Sequence, residues 1–311
     1  MSLRRRRDIW DVVVVGGGIG GLSAAWYTAR RGLPTALLET QGLLGGQVAT
    51  VNTLDDWPAT AEVSGVELAA SMSEKLSASA VDIRHEAAVE VTHSRDTGLL
   101  LVRTEERTLR ARRVIAASGA SLRPLGVPGA EGFVGKGISQ CAHCDGFFFK
   151  GQDVAVLGGG DSALQEALVL APIARTVTII VRSRLKAKQA YIERAASSAN
   201  VRWAWDSEVD ALHGNGALNG IRMRNVKTGQ TSELACSGLF PFIGVEPNTA
   251  FLPSSVRRDE AGRVLTDERM RSAEAAIFAI GAVRSGFSGE LTGAAGEAAI
   301  AAAMVAADLA H

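Results

Sequence analysis

The 311-residue chain holds only three cysteines and no net charge, and each scarcity narrows what it can do. Three cysteines cannot build a disulfide framework. Cys141 and Cys144 stand as a close Cys-x-x-Cys pair that reads as redox-active, and Cys236 is left over, as in a cytosolic protein. The 33 Lys and Arg residues balance 33 Asp and Glu, so there is no broad basic field for a nucleic-acid partner. Long apolar runs are also missing, and none approaches the roughly 20 residues of a membrane-spanning helix. The opening MSLRRRRD has the charged front of a signal peptide, but the apolar run behind it covers only residues 12–15 before glycines begin. These absences predict a soluble, cytoplasmic protein with no membrane or nucleic-acid partner, and Arg4, Arg5, Arg6 and Arg7 as a frayed tail. With 47% hydrophobic residues, 21% charged residues and 34 glycines, the chain is globular and long enough for two domains.

One pattern occurs twice. DVVVVGGGIGGLSAAWYTARRGLPTALLET is a buried strand, a glycine turn, a helix and a second strand ending at Glu39. DVAVLGGGDSALQEALVLAPIARTVTIIVR repeats it from Asp153 to Arg182. Both are βαβ units whose strands are too apolar to face water, as a parallel sheet requires. A helix is expected over residues 64–79, then a small antiparallel meander turning at Asp96-Thr97-Gly98. The second unit has its own hairpin across Lys227-Thr228-Gly229-Gln230, and an alanine-rich helix spans 293–310. The fold class is α/β with two Rossmann-like nucleotide-binding domains, the second inserted into the first. The expected boundaries are 1–119 and 245–311 for the first domain and 123–241 for the second, with hinges near 120–126 and 241–247.

Gly16-x-Gly18-x-x-Gly21 follows a strand and opens a helix, the context in which a pyrophosphate rests on a helix N-terminus. Glu39 ends the next strand, where a carboxylate accepts hydrogen bonds from ribose hydroxyls. This is the signature of an adenine dinucleotide. The second loop, Gly158-x-Gly160-x-x-Ala163, has the same context, but its strand ends in Val181-Arg182-Ser183-Arg184. With no carboxylate there, plain NAD is disfavoured. Arg182, Arg184, Lys186 and Lys188 are either a grip for a 2′-phosphate or a solvated basic edge. Cys141-Ala142-His143-Cys144 lacks the four ligands of a zinc site, so no metal is expected. As a redox pair it gains from a helix N-terminus that stabilises a thiolate and from Asp145 as a proton relay, with His143 a solvent-facing spacer.

The motifs GGGIGG, GGQ at residues 45–47, DDWP at 55–58, CAHCDGFFFKG, GGGDSA and FIGVEPNTAF at 242–251 resemble those of the low-molecular-weight thioredoxin reductase family over essentially the whole chain. The resemblance implies FAD in the first domain, the CxxC in the second, a domain rotation that alternates the disulfide between flavin and thioredoxin, and a homodimer. It implies that Gly16, Gly18, Gly20 and Gly21 cradle the FAD pyrophosphate and Glu39 its ribose. Gly45, Gly46, Gln47, Ser118, Gly119, Gly281 and Ala282 then line the cofactor, and Asp56 takes the place of the family's usual asparagine. Cys144 faces the flavin, Cys141 attacks thioredoxin and Asp145 is the acid/base.

Three departures bear on the electron donor. The family's NADPH signature, His-Arg-Arg-x-x-x-Arg, starts at Val181 and keeps only Arg182, with Ser183 and Ala187 in place of the others. The Gly-Asp that holds the ribityl chain reads Gly281-Ala282, and Tyr-Arg-Gln reads Ser288-Gly289-Glu290. Charge-assisted contacts are worth roughly 1.5–3 kcal/mol each, so two missing arginines weaken NADPH on the order of a hundredfold or more. Gly158, Gly160 and Arg182 are then a weak or vestigial NADPH site. The sequence is similar to the ferredoxin-dependent flavin thioredoxin reductases, a deeply rooted subset without that signature, and its basic runs at 4–7, 110–113 and 182–188 suit an acidic ferredoxin. The alternatives are an NADPH-dependent reductase gripping phosphate through Arg182, Arg184 and Lys188, an FAD-dependent dithiol oxidase with oxygen as acceptor, and a non-catalytic descendant of the fold.

Overall fold

Four consecutive valines at positions 12–15 suit a strand covered on both faces, because β-branched side chains are crowded in a helix and pack well on a pleated sheet. In the computed structural model, which describes residues 9–51, 54, 57–58 and 63–310, they form β1 (Trp10–Val15). Val12, Val13 and Val14 are fully buried there. The chain continues through α1 (Ile19–Arg30), β2 (Thr35–Leu38), α2 (Gly65–Ser77), β3 (Asp82–Arg84), β4 (Ala88–His93), β5 (Leu100–Thr104), β6 (Thr108–Ala116) and β7 (Ala120–Leu122). Then come α3 (Ala142–Asp145), β8 (Asp153–Leu157), α4 (Asp161–Leu170), β9 (Thr176–Val181), α5 (Gln189–Ser197), β10 (Val201–Trp205), β11 (Ser207–Gly214), β12 (Leu218–Asn225), β13 (Thr231–Leu234) and β14 (Gly238–Pro241). The last elements are β15 (Val245–Pro247), β16 (Ile277–Ala279) and α6 (Leu291–Leu309). Asp56 and Arg4, Arg5, Arg6 and Arg7 lie outside the described residues.

Internal contacts divide the chain into two units, Met1–Ser121 with Glu246–His311, and Leu122–Val245. The paired strands β7 and β15 carry the chain across both boundaries. In the first unit the strand order is β3-β2-β1-β6-β5-β4, with β16 also on β6. Strand β6 serves two sheets' worth of neighbours: residues 108–111 pair antiparallel with β5, and residues 114–116 pair parallel with β16. Alternation along β1 feeds two cores. Val12 and Val14 join Leu22, Ala25, Ala298 and Val305 on the side of α1 and α6, whereas Val13 and Val15 join Val102, Val256 and Val264.

In the second unit β10, β9, β8 and β14 form a parallel sheet in that order, and β11, β12 and β13 form a separate antiparallel sheet. The expected alanine-rich helix forms as α6. Helix α6 is 19 residues long with a mean hydropathy of 1.2, which is long and apolar enough to cross a bilayer by length and composition alone. Its apolarity comes from alanines, and it packs as a core helix against α1 through Ala294, Ala298, Ala301, Ala302 and Val305. Its last turn is held by Asp308, whose carboxylate accepts two hydrogen bonds from Arg271 at 2.8 and 2.9 Å.

A very close contact lies between α1 and the turn before it. A Cβ on Gly21 would stand 1.7 Å from the Gly16 carbonyl oxygen, a backbone atom that cannot yield like a side chain. Gly21→Ala is expected to cost about 1–3 kcal/mol, as overpacking does, measured as a lowered midpoint in chemical denaturation.

Candidate redox-active site

Four parallel strands of the first unit end at one edge, and the residues that follow them converge there. Gly16 to Gly18 follow β1, Glu39 follows β2, Ser118 and Gly119 follow β6, and Gly281 and Ala282 follow β16. This is the carboxyl edge of a parallel sheet, where open α/β folds take their ligands. The three fingerprint glycines do different work. Gly16 has φ +105° and a Cβ there would lie 2.4 Å from the Ala117 carbonyl oxygen, so it makes the turn. Gly21 lets α1 approach. Gly18 looks onto open space, with nothing nearer to a would-be Cβ than the Gly45 carbonyl at 3.9 Å. No side chain caps α1 at Gly18 and its first turn holds no acid. Unused amide donors facing open space fit an anionic pyrophosphate. Gly20 is placed otherwise: its Cα faces Ile280 and Ala294, and its smallness serves the packing of α1 on α6.

The Glu39 carboxylate, almost buried, is the keystone of this edge. Its Oε2 accepts the Gly17 amide at 2.6 Å, and its Oε1 accepts the Gln41 amide at 2.8 Å and the Thr40 hydroxyl at 3.1 Å. The Gly45 amide donates to the Gly17 carbonyl at 2.8 Å, so the Gly45-Gly46-Gln47 turn lies directly on the first glycine loop. The Gln47 side-chain amide donates to the Ala120 carbonyl. Asn248 locks the loop after β6: its side chain donates to the Ser118 carbonyl at 2.9 Å, its amide donates to the Gly119 carbonyl at 3.0 Å, and its carbonyl accepts the Ser118 hydroxyl at 2.6 Å. After β16 the Gly281 amide donates to Glu297 at 2.7 Å, and Glu297 also pairs with Arg284 at 2.6 Å. Ala282 offers no carboxylate, yet the loop, the acid and the open cradle fit FAD.

The second glycine loop is built on the same plan with different charges. Gly158 has φ +146° and a Cβ there would lie 2.3 Å from the Phe242 carbonyl, while Gly160 has nothing within 4 Å. A cleft of about 500 Å³ opens in front of it. Here, however, the first helical turn carries Asp161, whose Oδ1 accepts the Lys188 amide at 2.7 Å. The cleft wall holds Arg182, Arg184 and Lys186. Lys188 is not on that wall, so three of the four cations expected there share the cleft. The segment folds back here through a hydrogen bond from the Lys186 amide to the Gly159 carbonyl at 2.7 Å.

Cys141 and Cys144 form a disulfide with Cα atoms 5.3 Å apart. Cys141 is the N-cap of α3 and half-buried; Cys144 is exposed. The Cys144 amide donates to the Cys141 sulfur at 3.1 Å, an arrangement that favours a thiolate at Cys141 once the bond opens. Ser139 ties the acid to the pair. Its hydroxyl donates to Asp145 Oδ2 at 2.6 Å while its oxygen accepts the Cys141 amide at 3.1 Å. Asp145 also lines a cavity of about 410 Å³ with Phe148 and Gln152. Burial, together with the nearby charge of Asp153, pushes the Cys236 thiol up to about 12. The motifs GGGIGG and FIGVEPNTAF contain Gly17 and Asn248 without assigning them a role, and Ser139 and Glu166 lie outside the family motifs. Among the described residues no cluster of three or more metal-ligating side chains occurs.

Residues 10–307 match the model of the pyridine nucleotide-disulphide oxidoreductases. The chain belongs to that family. Thioredoxin reductase of Treponema pallidum is 38% identical to it over 278 residues, covering 89% of each chain. The crystal structure of Lactococcus lactis thioredoxin reductase superposes with a TM-score of 0.90 at 35% identity, covering 95% of this chain and 97% of that one. That of T. acidophilum thioredoxin reductase gives a TM-score of 0.91 at 29% identity, covering 98% and 100%. The chain is thus a thioredoxin reductase-like flavoprotein oxidoreductase with the family's α/β, Rossmann-like fold.

The thiol environments make a direct prediction for this family member. After reduction, alkylation of the folded protein at pH 8 is expected to modify Cys141 and Cys144 and to spare Cys236 until the chain is unfolded. Peptide mass spectrometry reads the three sites separately.

Proposed function

We propose that this protein reduces thioredoxin through the Cys141–Cys144 pair, with FAD held in the first unit and ferredoxin as the electron donor. The observation that carries the reading is a disulfide with an acid tied to it and an apolar landing beside it. Phe147 and Phe148 are each 73% exposed three and four residues beyond Cys144, a costly display for solvent and a suitable one for a protein substrate. The first glycine loop and Glu39 would hold FAD, which when bound would supply the electron pair that opens the disulfide. The chain's residues do the rest. Cys141, its thiolate favoured by the Cys144 amide, attacks the thioredoxin disulfide and releases one thiol. Cys144 then displaces the second, restoring the Cys141–Cys144 bond and leaving thioredoxin as a dithiol. Asp145, held by Ser139, is placed to move the proton that each exchange requires.

The donor assignment rests on the contrast between the two glycine loops. The first presents uncapped amides without a nearby acid in its helical turn, and the second sets Asp161 there. Its strand ends without the carboxylate that a ribose needs, and Val181 stands where the resemblance expects a histidine. One observation favours the alternative: Arg182, Arg184 and Lys186 share the cleft wall, and three cations suit the 2′-phosphate of NADPH.

Anaerobic titration separates the two donors. Reduced ferredoxin is expected to bleach the flavin absorbance while stoichiometric NADPH leaves it unchanged; rapid bleaching by NADPH overturns the ferredoxin assignment. Cys141→Ser is expected to abolish thioredoxin reduction while the flavin remains reducible, and a mixed disulfide trapped on Cys141 in the Cys144→Ser variant identifies the attacking sulfur. Replacing Phe147 and Phe148 together by Ala should raise the KM for thioredoxin roughly tenfold with little change in kcat, the pattern of lost docking contacts.

A further inference from the structure

The exchange chemistry leaves one acid of the second unit without a task. Glu166 lies on α4, and its Oε2 accepts the backbone amide of Ala142 at 2.5 Å. Ala142 is the first residue of α3, between the two cysteines, and is fully buried. An amide at a helix start has no partner within the helix, and this one has no water to turn to, so the carboxylate satisfies it. Among the described residues no cation pairs with Glu166. The elements packed on α4 offer little to neutralise it. From α3 come His143, which is exposed, and Asp145, which is bonded to Ser139. From α5 come Glu193, bonded to Gln189, and Arg194; from β8 comes Asp153, paired with Arg175; β9 contributes no titratable side chain. The neighbouring Gln165 bonds the Tyr191 hydroxyl, not the acid.

We propose that Glu166 is a positioning residue that sets the redox poise of the Cys141–Cys144 pair, fixing the turn through the Ala142 amide and holding an uncompensated negative charge against the backbone between the two cysteines. The disulfide is neutral, and its reduction takes up two electrons and two protons to give two thiols. Where the reduced pair carries a thiolate at Cys141, a negative charge close to it disfavours that ionised form, withdraws its stabilisation of the reduced state and makes the dithiol the stronger reductant. It thereby opposes the Cys144 amide, which favours the thiolate. Burial holds the Glu166 carboxyl above the usual carboxylate range, with the Ala142 amide pulling the other way. The charge therefore develops at higher pH than on a surface glutamate, and its effect on the thiols grows as pH rises. The proposal rests on the Cys141–Cys144 pair being the redox pair, but not on the identity of donor or protein substrate.

The test is a redox titration of the holoprotein against dithiothreitol, which supplies both electrons and protons, with thiols counted by alkylation. Glu166→Gln keeps an oxygen for the Ala142 amide and removes the charge; Glu166→Asp keeps the charge. The dithiol–disulfide equilibrium of Glu166→Gln is expected to shift about tenfold toward the dithiol, which is ~30 mV for a two-electron couple. Its Cys141 alkylation profile should move to lower pH, while Glu166→Asp stays near wild type on both measures. Wild-type poise and pH profile in a folded Glu166→Gln protein overturn the proposal and leave Glu166 a structural prop. A wild-type pair that dithiothreitol cannot reduce overturns the reading of the pair itself, and this proposal with it.

Discussion

Helix α1 meets the turn after β1 so closely that the Gly16 carbonyl oxygen occupies the place of a side chain at Gly21. That approach aims the first amides of α1 at the open space before Gly18 and brings Gly17 within reach of Glu39. From Glu39 and Gly17 the order spreads outward. The Gly45 turn hangs from the Gly17 carbonyl, and the loops after β6 and β16 close the same edge through Asn248 and Glu297. A single steric constraint thus organises residues drawn from both ends of the chain.

The second unit repeats the steric plan and changes the electrostatics. Gly158 turns, Gly160 faces open space and Ala163 packs, as in the first loop. What differs is the acid at the first helical turn and the cations on the wall. Steric fit and electrostatic fit to a nucleotide are separable, and here they part company. The cysteine turn shows a similar division of labour, since Ser139 serves the acid, the Cys144 amide serves one sulfur and Glu166 serves the amide between them.

The sequence displayed what depends on local pattern. The two βαβ units, the hairpin turns and α2 follow from hydrophobic period and turn residues, and the glycine fingerprints predict their own geometry because each glycine answers to a nearby backbone atom. Residues that act across long separations left no such trace. Asn248 reaches Ser118, and Glu166 reaches Ala142 from the far side of β8. Neither spacing repeats anything. Lys188 falls outside the cleft for another reason: a position counted along the chain loses its meaning once the segment folds back on Gly159. The alanines of α6 were legible as a helix, and their small side chains fill a tight interface with α1.

The pairing of β6 with both β1 and β16 has a consequence for synthesis. The face of α1 that buries Ala298, Ala301 and Val305 has no cover until α6 leaves the ribosome, whereas everything from Leu122 to Val245 is already in hand by then. The inserted unit is free to fold first, as contiguous segments do during vectorial elongation. Until then the α1 side of the first unit lacks its α6 cover, and exposed apolar surface of that kind favours association.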